Sequence, residues 1–154
     1  CLARNRDDIR LAIGKPTATR EILDLSQRFH DARSREKGWT PHDRSAASHR
    51  ASFVDGPFPS REWRYYRGDQ LVGVGYVDDL PIGLSAIYFI HDPELRDRAL
   101  GTYNVLSLIA EAARREIAHV YLGYHVEGCG SLEYKARFRP NEVLGPDGEW
   151  RPYL

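Results

Sequence analysis

Apolar residues in the first third of the chain recur at helical spacing in one stretch and show no sustained period in another. The apolar stripe of the periodic stretch consists of Ile22, Leu25, Phe29 and Ala32. Spacings of three and four predict an amphipathic helix from about Thr17 to about Glu36, with Gly38 as its stop. Residues 1–15 are rich in Arg and lack such a period. We therefore expect residues 1–15 to be a linker from a missing N-terminal region and residues 16–154 to form one folded domain.

A second helix and three strands follow along the chain. Thr40 and Pro41 combine a capping hydroxyl with a proline at the first helical position, which predicts a short helix to about Phe53. The period then changes to two, which is typical of strands. The predicted strands are 62–67, 70–78 and 84–91. The turn residues Gly68 and Asp69 make the first two strands a hairpin.

The second half of the chain predicts a crossover. Residues 100–117 are helical, and their apolar side consists of Leu100, Tyr103, Leu106, Ile109 and Ala113. A buried strand over 120–126 follows, so it pairs in parallel with strand 84–91 across the helix. The expected fold class is α+β, a mixed sheet of an antiparallel meander plus one βαβ unit, flanked by helices. The tail 133–144 adds a short helix and an edge strand.

Composition indicates one soluble domain. The 154 residues include 22 Lys+Arg, 22 Asp+Glu and 42% hydrophobic residues, which excludes a disordered chain. No apolar run approaches the roughly 18 residues of a membrane span, so we expect a cytoplasmic protein with no membrane partner. Cys1 and Cys129 form neither a disulfide framework nor part of a Cys/His cluster, so no metal site is predicted. The charge is uneven: residues 1–67 hold 14 basic and 9 acidic side chains, and residues 68–154 hold 8 and 13.

The turn that opens the second long helix is a candidate anion site. Arg98, Gly101 and Thr102 lie where the backbone N–H groups of a helix N-terminus bind phosphate. The order of elements resembles the GCN5-related acyltransferases, in which this turn holds the pyrophosphate of coenzyme A. Tyr103 stands where that family keeps a small residue, which disfavours coenzyme A. A helix cap with Gly101 for packing explains the same residues equally well.

Other candidates lie at strand ends and in the tail. Asp78 and Asp79 lie at the end of the second strand of the hairpin, and they either have a catalytic or cation-binding role or are ordinary turn carboxylates. Tyr88 and Tyr124 fall near the ends of the parallel strands, where ligands bind α/β sheets, although buried tyrosines are the simpler explanation. Residues 134–139 interleave aromatic and cationic side chains, as in a site for a carboxylate or an RNA backbone. A solvated edge strand gives the same pattern.

Several ordered motifs together resemble one family. They are LVGVGYVDDLP at 71–81, GLSAIYF at 83–89, DP at 92–93, LGTY at 100–103, YLGY at 121–124, GC at 128–129 and YKARFRP at 134–140. Over residues 62–151 the chain resembles the C-terminal domain of the aminoacyl-tRNA–protein transferases, the arginyl and leucyl transferases of the N-degron pathway. The segment EGCGSLEYK at 127–135 is more similar to the bacterial leucyl branch.

The resemblance implies a reaction and a site. The reaction is aminoacyl transfer from charged tRNA, with leucyl favoured and arginyl possible, to the N-terminal amine of proteins that begin with Asp or Glu. The transfer marks those proteins for degradation and needs no cofactor. Asp78 orients the amine and relays its proton, and Tyr124 protonates the leaving ribose oxygen. Lys135 or Arg137 reads the acidic acceptor. The other implied contacts are Ser85, Tyr88 and Tyr134 for substrate, and Arg98, Gly101 and Thr102 for tRNA. The Arg-rich half, residues 1–67, is the candidate face for the tRNA backbone.

Two other functions remain open at this point. A coenzyme A-dependent N-acyltransferase would keep the same architecture and its usual donor. A non-catalytic module that binds N-terminal acidic residues would keep only the recognition site.

Overall fold

The computed structural model of the protein describes residues 1–38, 43, 45–126 and 128–153. The chain divides into two compact units, Cys1–Tyr121 and Leu122–Leu154. The first unit contains a five-stranded sheet and the second a two-stranded sheet. None of the helices in the described ranges combines the length and the apolar character that crossing a membrane requires.

The first unit contains four α-helices and five strands among its described residues. In chain order they are α1 (Leu2–Asn5), β1 (Ile9–Gly14), α2 (Arg20–Lys37), α3 (Ala46–His49) with a π-helical turn (Arg50–Val54), β2 (Ser60–Arg67), β3 (Gln70–Leu80), β4 (Gly83–His91), a 3₁₀ turn (Arg96–Arg98), α4 (Leu100–Arg114) and β5 (His119–Tyr121). The Thr19 side chain caps the start of α2, and Gly38 at φ 63° ends it.

The sheet is mixed, as the sequence predicts. Its order is β1-β2-β3-β4-β5. The first four strands are antiparallel neighbours, and β4 and β5 pair in parallel through the α4 crossover. The meander plus one βαβ unit is therefore confirmed.

Residues 1–15, expected to be a linker, instead contain α1 and β1. Strand β1 pairs with β2 over its whole length, from Ile9 opposite Arg67 to Gly14 opposite Glu62. Ile9, Leu11 and Ile13 alternate with other residues in this strand. The period-two signal covers only six residues among arginines, so it is too short to stand out in the sequence.

Two apolar cores cover the two faces of the sheet. On the α2 face, buried side chains of α2 pack on residues of β3 and β4: Ile22, Leu25, Phe29, Leu71, Val74, Tyr76 and Ile90. On the α4 face, the core comprises Ile9, Trp63, Tyr65, Val72, Val77, Leu84, Leu100, Leu108 and Ala112. The alternation along β3 fixes which side each functional residue faces.

The buried side of α4 differs from the predicted stripe. The buried residues are Leu100, Asn104, Val105, Leu108 and Ala112, whereas the predicted Ile109 is 39% exposed. Asn104 lies on the buried side because its Oδ1 accepts a hydrogen bond from Tyr65 Oη at 2.8 Å. Because the polar Asn104 interrupts the apolar stripe, the apolar pattern of the sequence indicated the wrong buried face of α4.

Two further elements differ from expectation. Strand β5 ends at Tyr121, so the predicted strand over 120–126 is wrong beyond that residue. The second helix begins at Ala46, and its predicted cap at Thr40 and Pro41 lies outside the described residues.

The second unit consists of short elements. They are α5 (Gly130–Glu133), a 3₁₀ turn (Tyr134–Arg137), β6 (Glu142–Leu144) and β7 (Trp150–Pro152). Strands β6 and β7 form an antiparallel pair. The cationic stretch beginning at Tyr134 is thus helical at its start, which contradicts an edge strand there.

Candidate active site

Asp78 lies in a polar row that crosses three strands on the α2 face of the sheet. The half-buried Asp78 carboxylate accepts a hydrogen bond from Ser60 Oγ on β2. The register places Ser60 opposite Asp78 on one side and Ser85 of β4 opposite it on the other. The predicted residues Asp78 and Ser85 are therefore neighbours, with one carboxylate between two hydroxyl-bearing residues.

An aromatic wall borders this row on the same face. Tyr76 and Tyr88 are register partners on β3 and β4, and Phe53 packs in parallel with both. The Phe53 ring centroid lies 4.2 Å from that of Tyr76 and 5.6 Å from that of Tyr88. Tyr76 precedes Asp78 by two residues, so both side chains lie on one face of the strand. The predicted Tyr88 thus belongs to the same site as Asp78.

His49 of α3 is hydrogen bonded to Tyr76 of the aromatic wall. Its Nε2 lies 2.9 Å from Tyr76 Oη in a buried hydrogen bond. Burial lowers the pKa of His49, against a smaller opposite effect of a hydrogen bond to the Thr17 backbone. Burial, followed by repulsion from the Glu62 carboxylate, raises the pKa of Tyr76. At neutral pH the pair therefore consists of an uncharged imidazole and a protonated phenol.

The Glu62 side chain anchors the segment that precedes α2 to the α2 face of the sheet. Its side chain is fully buried and accepts hydrogen bonds from the Thr17 N–H and the Thr17 hydroxyl, each at 3.0 Å. The Arg64 Nε lies 3.0 Å from the same carboxylate. A buried carboxylate without such partners would be strongly unfavourable. The arrangement fixes the entry to α2 and hence the position of α2 over the site.

A cavity of about 250 Å³ opens beside the wall. Its lining residues come from α2, the segment between α2 and α3, α3, the π-helical turn and β4: Ser26, His30, Asp43, Ser48, His49, Ser52, Phe53 and Tyr88. The His30 ring stacks on Tyr88 with a centroid distance of 6.1 Å and an interplanar angle of 10°. The described part of the lining therefore combines aromatic and imidazole rings with serine hydroxyls and the Asp43 carboxylate.

Strand β4 has a bulge beside Asp78. The register passes from Tyr76 opposite Tyr88 to Val77 opposite Ala86, so Ile87 is an extra residue. A bulge leaves the extra residue outside the regular ladder and redirects the local backbone. The backbone at Ile87 is therefore a candidate donor to a substrate oxygen.

Asp79 faces the opposite side of the sheet from Asp78. Its two carboxylate oxygens accept hydrogen bonds from Arg115 at 2.8 and 3.1 Å. This ion pair raises the pKa of Arg115 and lies beside a separate open cleft of about 430 Å³ on the α4 face. Consecutive carboxylates thus have different environments, one in an ion pair and the other in the polar row.

The predicted anion site at the start of α4 is partly occupied by the chain itself. Arg98 pairs with Asp8 at 2.8 Å and donates to the Arg4 carbonyl at 2.7 Å. The Arg98 side chain is only 16% exposed. A Cβ built on Gly101 meets no atom of the described residues within 4 Å. The packing explanation for Gly101 is therefore wrong, because no described residue fills the space beside its Cα.

The remaining predicted site residues lie in the second unit. Tyr124 is 88% exposed, which contradicts its placement in a buried strand. Lys135 Nζ donates to the Tyr124 carbonyl at 2.9 Å, and burial lowers the pKa of Lys135. Tyr134 is half-buried against Phe138, with ring centroids 6.2 Å apart. Arg137 is exposed.

Three groups of predicted residues result. Asp78, Ser85 and Tyr88 share the α2 face. Arg98, Gly101 and Thr102 lie at the start of α4. Tyr124, Tyr134, Lys135 and Arg137 lie in the second unit.

The α2 face also carries residues that are not among those predicted for the site: His30, His49, Phe53, Glu62 and Tyr76. Two spacings contain a usable signal. Tyr76 precedes Asp78 by two residues on a strand, and His49 precedes Phe53 by four residues in a helical stretch. Such pairs lie on one face.

Solved structures share this fold. The ribosomal-protein-S18-alanine N-acetyltransferase of Escherichia coli superposes with a TM-score of 0.60 at 15% identity, over 92% of this chain and 88% of that one. An acetyltransferase of the GNAT family from Staphylococcus aureus gives a TM-score of 0.58 at 14% identity, over 94% of each chain. The GCN5-related acyltransferase-like fold is confirmed.

Sequence comparison identifies the relatives. The aspartate/glutamate leucyltransferase of Pseudomonas savastanoi pv. phaseolicola is 38% identical over 144 residues, which cover 93% of this chain and 60% of that enzyme. The enzyme of the same name from Marinobacter nauticus is 54% identical over 82 residues, which cover 53% of this chain and 34% of that enzyme. The chain thus spans at most about 60% of the length of these curated relatives. Residues 21–145 match the family described as arginine-tRNA-protein transferase, C terminus, and the chain belongs to that family.

Proposed function

We propose that the protein transfers a leucyl group from leucyl-tRNA to the α-amine of proteins that begin with Asp or Glu. The observation that carries the proposal is the row Ser60–Asp78–Ser85 beside the aromatic cavity, on an acyltransferase fold. The names of the curated relatives support the leucyl donor and the acidic acceptors. We place the reaction in the cytoplasm, where charged tRNA is found, and its product is marked for degradation.

The reaction depends more on holding the amine and the aminoacyl ester in the correct orientation than on activating either of them. An aminoacyl ester is already reactive, and holding two reactants in place recovers about 7–11 kcal/mol of the barrier. A peptide α-amine has a pKa of about 7.7–8.0, so its neutral form is accessible near neutral pH. The amine nitrogen attacks the ester carbonyl carbon, and the carbon–oxygen bond to the ribose breaks.

Asp78 accepts a proton from the attacking amine. Its carboxylate is held by Ser60 and borders the cavity wall, so it can accept a hydrogen bond from the amine and take its proton. The bulge at Ile87 offers a backbone N–H to the ester oxygen as negative charge develops there. Tyr124, with its exposed hydroxyl-bearing ring, returns a proton to the leaving ribose oxygen.

The tRNA and the acceptor side chain use the other predicted residues. The turn at Gly101 and Thr102 accepts a phosphate near the 3′ end of the tRNA, with Arg98 beside it. Lys135 and Arg137 recognise the acidic side chain of the acceptor, and Tyr134 shapes that pocket.

The test is a transfer assay with the whole protein. Purified leucyl-tRNA and arginyl-tRNA are each supplied with peptides that begin with Asp, Glu or Asn. We expect transfer from leucyl-tRNA to the Asp and Glu peptides, with much less to the Asn peptide. Transfer from acetyl-coenzyme A alone would overturn the proposed donor, and peptide binding without any transfer would indicate a recognition module.

A further inference from the structure

Arg33 of α2 is a half-buried cation that forms no ion pair with any described residue. It follows Phe29 by four residues and His30 by three, so the three side chains lie on the same side of the helix. The guanidinium carbon of Arg33 lies 5.3 Å from the centroid of the Phe29 ring. A guanidinium group stays charged in proteins. The α2 face therefore carries a positive charge with which no described carboxylate pairs.

Two carboxylates of the neighbouring chain pair with other arginines. The buried Asp92, directly after β4, pairs with Arg28 at 2.9 Å. Glu36, which lies one turn beyond Arg33 in α2, pairs with Arg96. Because both carboxylates already have a cation, Arg33 remains available to an anion that is not part of this chain.

The charge of Arg33 acts on two rings of β4. Burial raises the pKa of Tyr88, and the positive charge of Arg33 lowers it to a smaller extent. Burial also lowers the pKa of His91, the Asp92 backbone raises it, and Arg33 lowers it further. At neutral pH both rings are therefore uncharged. Arg33 lies close enough to Tyr88 to influence it, and neither ring supplies a charge that would neutralise Arg33.

Tyr88 connects Arg33 with the reacting groups. Its register partner Tyr76 lies two residues from Asp78 on the same face of β3. In an acceptor that begins with Asp, a single methylene group joins the side-chain carboxylate to the carbon that bears the amine. An amine held at Asp78 therefore keeps the acceptor carboxylate on the face of the sheet where Arg33 lies.

The surroundings of Arg33 suit one carboxylate better than a nucleic-acid backbone. The planar guanidinium group matches the two oxygens of a carboxylate. A charge pair is also stronger where part of the surrounding water is excluded, as it is beside a half-buried side chain. Sites for a nucleic-acid backbone instead use a groove of several cations. Arg33 packs singly against an aromatic ring.

We propose that Arg33 binds the side-chain carboxylate of the acceptor's N-terminal Asp or Glu and determines the preference for acidic acceptors. The inference rests on the proposed function, and it adds a cation of the first unit to Lys135 and Arg137 of the second. Phe29 is a positioning residue, because its ring packs against the guanidinium group.

The experiment measures kcat/KM of the whole protein with leucyl-tRNA and two peptides that differ only in beginning with Asp or Asn. The two residues have nearly the same shape, so the Asp-to-Asn ratio reports recognition of the charge. Arg33→Gln is expected to lower this ratio by about 10–150-fold, the factor that corresponds to a hydrogen bond with a charged group. Arg33→Lys keeps the charge without the planar fork, so its ratio should lie between those of wild type and Arg33→Gln.

Two further variants complete the experiment. Arg33→Met removes the charge and keeps an unbranched stem against Phe29, so it keeps the test decisive if Arg33→Gln does not fold. The matched control is Arg35→Gln, which removes the charge of an exposed arginine two residues further along the same helix. Its Asp-to-Asn ratio should stay within about twofold of wild type.

The possible results separate this inference from the proposed function. Transfer by wild type with an unchanged Asp-to-Asn ratio in Arg33→Gln and Arg33→Met overturns the role of Arg33 and leaves the proposed function standing. An equal loss on both peptides also overturns it, because Arg33 then supports the fold. A raised KM for leucyl-tRNA with an unchanged ratio overturns it as well, because Arg33 then contacts the tRNA. If the wild-type protein transfers no amino acid from charged tRNA, both proposals fall.

Discussion

Two buried tyrosines on opposite faces of the sheet allow stability and function to be separated. Tyr76 Oη is hydrogen bonded to His49 Nε2 at 2.9 Å on the α2 face. Tyr65 Oη donates to Asn104 Oδ1 at 2.8 Å on the α4 face. Both side chains are at most 1% exposed. Replacing either tyrosine with Phe removes one hydroxyl and leaves one buried partner without its hydrogen bond.

The two substitutions should cost similar stability. A buried polar group left without a partner costs about 1–3 kcal/mol. For a domain of this size, 1 kcal/mol lowers Tm by roughly 2–4 °C. We therefore expect both Tyr76→Phe and Tyr65→Phe to lower Tm by about 2–12 °C in thermal unfolding followed by circular dichroism.

Only one of them should impair catalysis. Tyr76→Phe releases His49 and the wall beside Asp78, and small misplacements of reacting groups have large rate effects, so leucyl transfer should fall about tenfold or more. Tyr65→Phe should keep kcat/KM within about twofold of wild type. Equal losses of activity in the two variants, or a Tyr76→Phe protein as stable and active as wild type, would refute the placement of the site on the α2 face.

Three further predictions concern pH, the helix turn and the acceptor. Burial places the folded-state pKa of His49 below its unfolded value near 6.5, so the unfolded protein binds more protons than the folded protein at pH values between the two. The free energy of unfolding should therefore decline as pH falls from 6.5 toward the folded-state pKa. His49→Gln should reduce the slope of unfolding free energy against pH near pH 6 by up to about 1.4 kcal/mol per pH unit; an unchanged slope in chemical denaturation would contradict this assignment. Gly101→Ala should leave stability unchanged or raise it by up to about 1 kcal/mol, because the added Cβ meets open space, while tRNA affinity falls in a binding titration; a loss of stability would restore the packing explanation. Lys135→Ala and Arg137→Ala should reduce transfer to Asp peptides more than to Asn peptides, and an equal loss on both would exclude reading of the acceptor charge.

The meander and crossover followed from period and turn chemistry, whereas β1 and the buried side of α4 did not. Ile9, Leu11 and Ile13 form too short an alternation, and their strand is stabilised by pairing with β2, a tertiary effect that local pattern does not contain. Asn104 occupies a core position because Tyr65 satisfies it. Local hydrophobicity cannot reveal a polar residue that is buried with its partner.

The residues of the candidate site also divide into those that the sequence indicates and those that it does not. Asp78, Ser85 and Tyr88 could be identified because they stand in the motifs that carry the family resemblance, although Tyr88 lies in the middle of β4 and not near its end as predicted. His49 could not, since its role depends on α3 lying above Tyr76, which Glu62 and Thr17 help to arrange from distant positions in the chain.

The adjacent carboxylates provide the most direct test of the central claim. Asp78 lies in the polar row of the α2 face, and Asp79 pairs with Arg115 on the opposite face. The measurement is single-turnover leucyl transfer to an Asp peptide by the Asp78→Asn and Asp79→Asn variants of the whole protein. We predict that Asp78→Asn slows transfer by about 10²–10⁴-fold, the usual contribution of a positioned acid or base, whereas Asp79→Asn transfers at close to the wild-type rate. Transfer by Asp78→Asn at the wild-type rate would contradict the account.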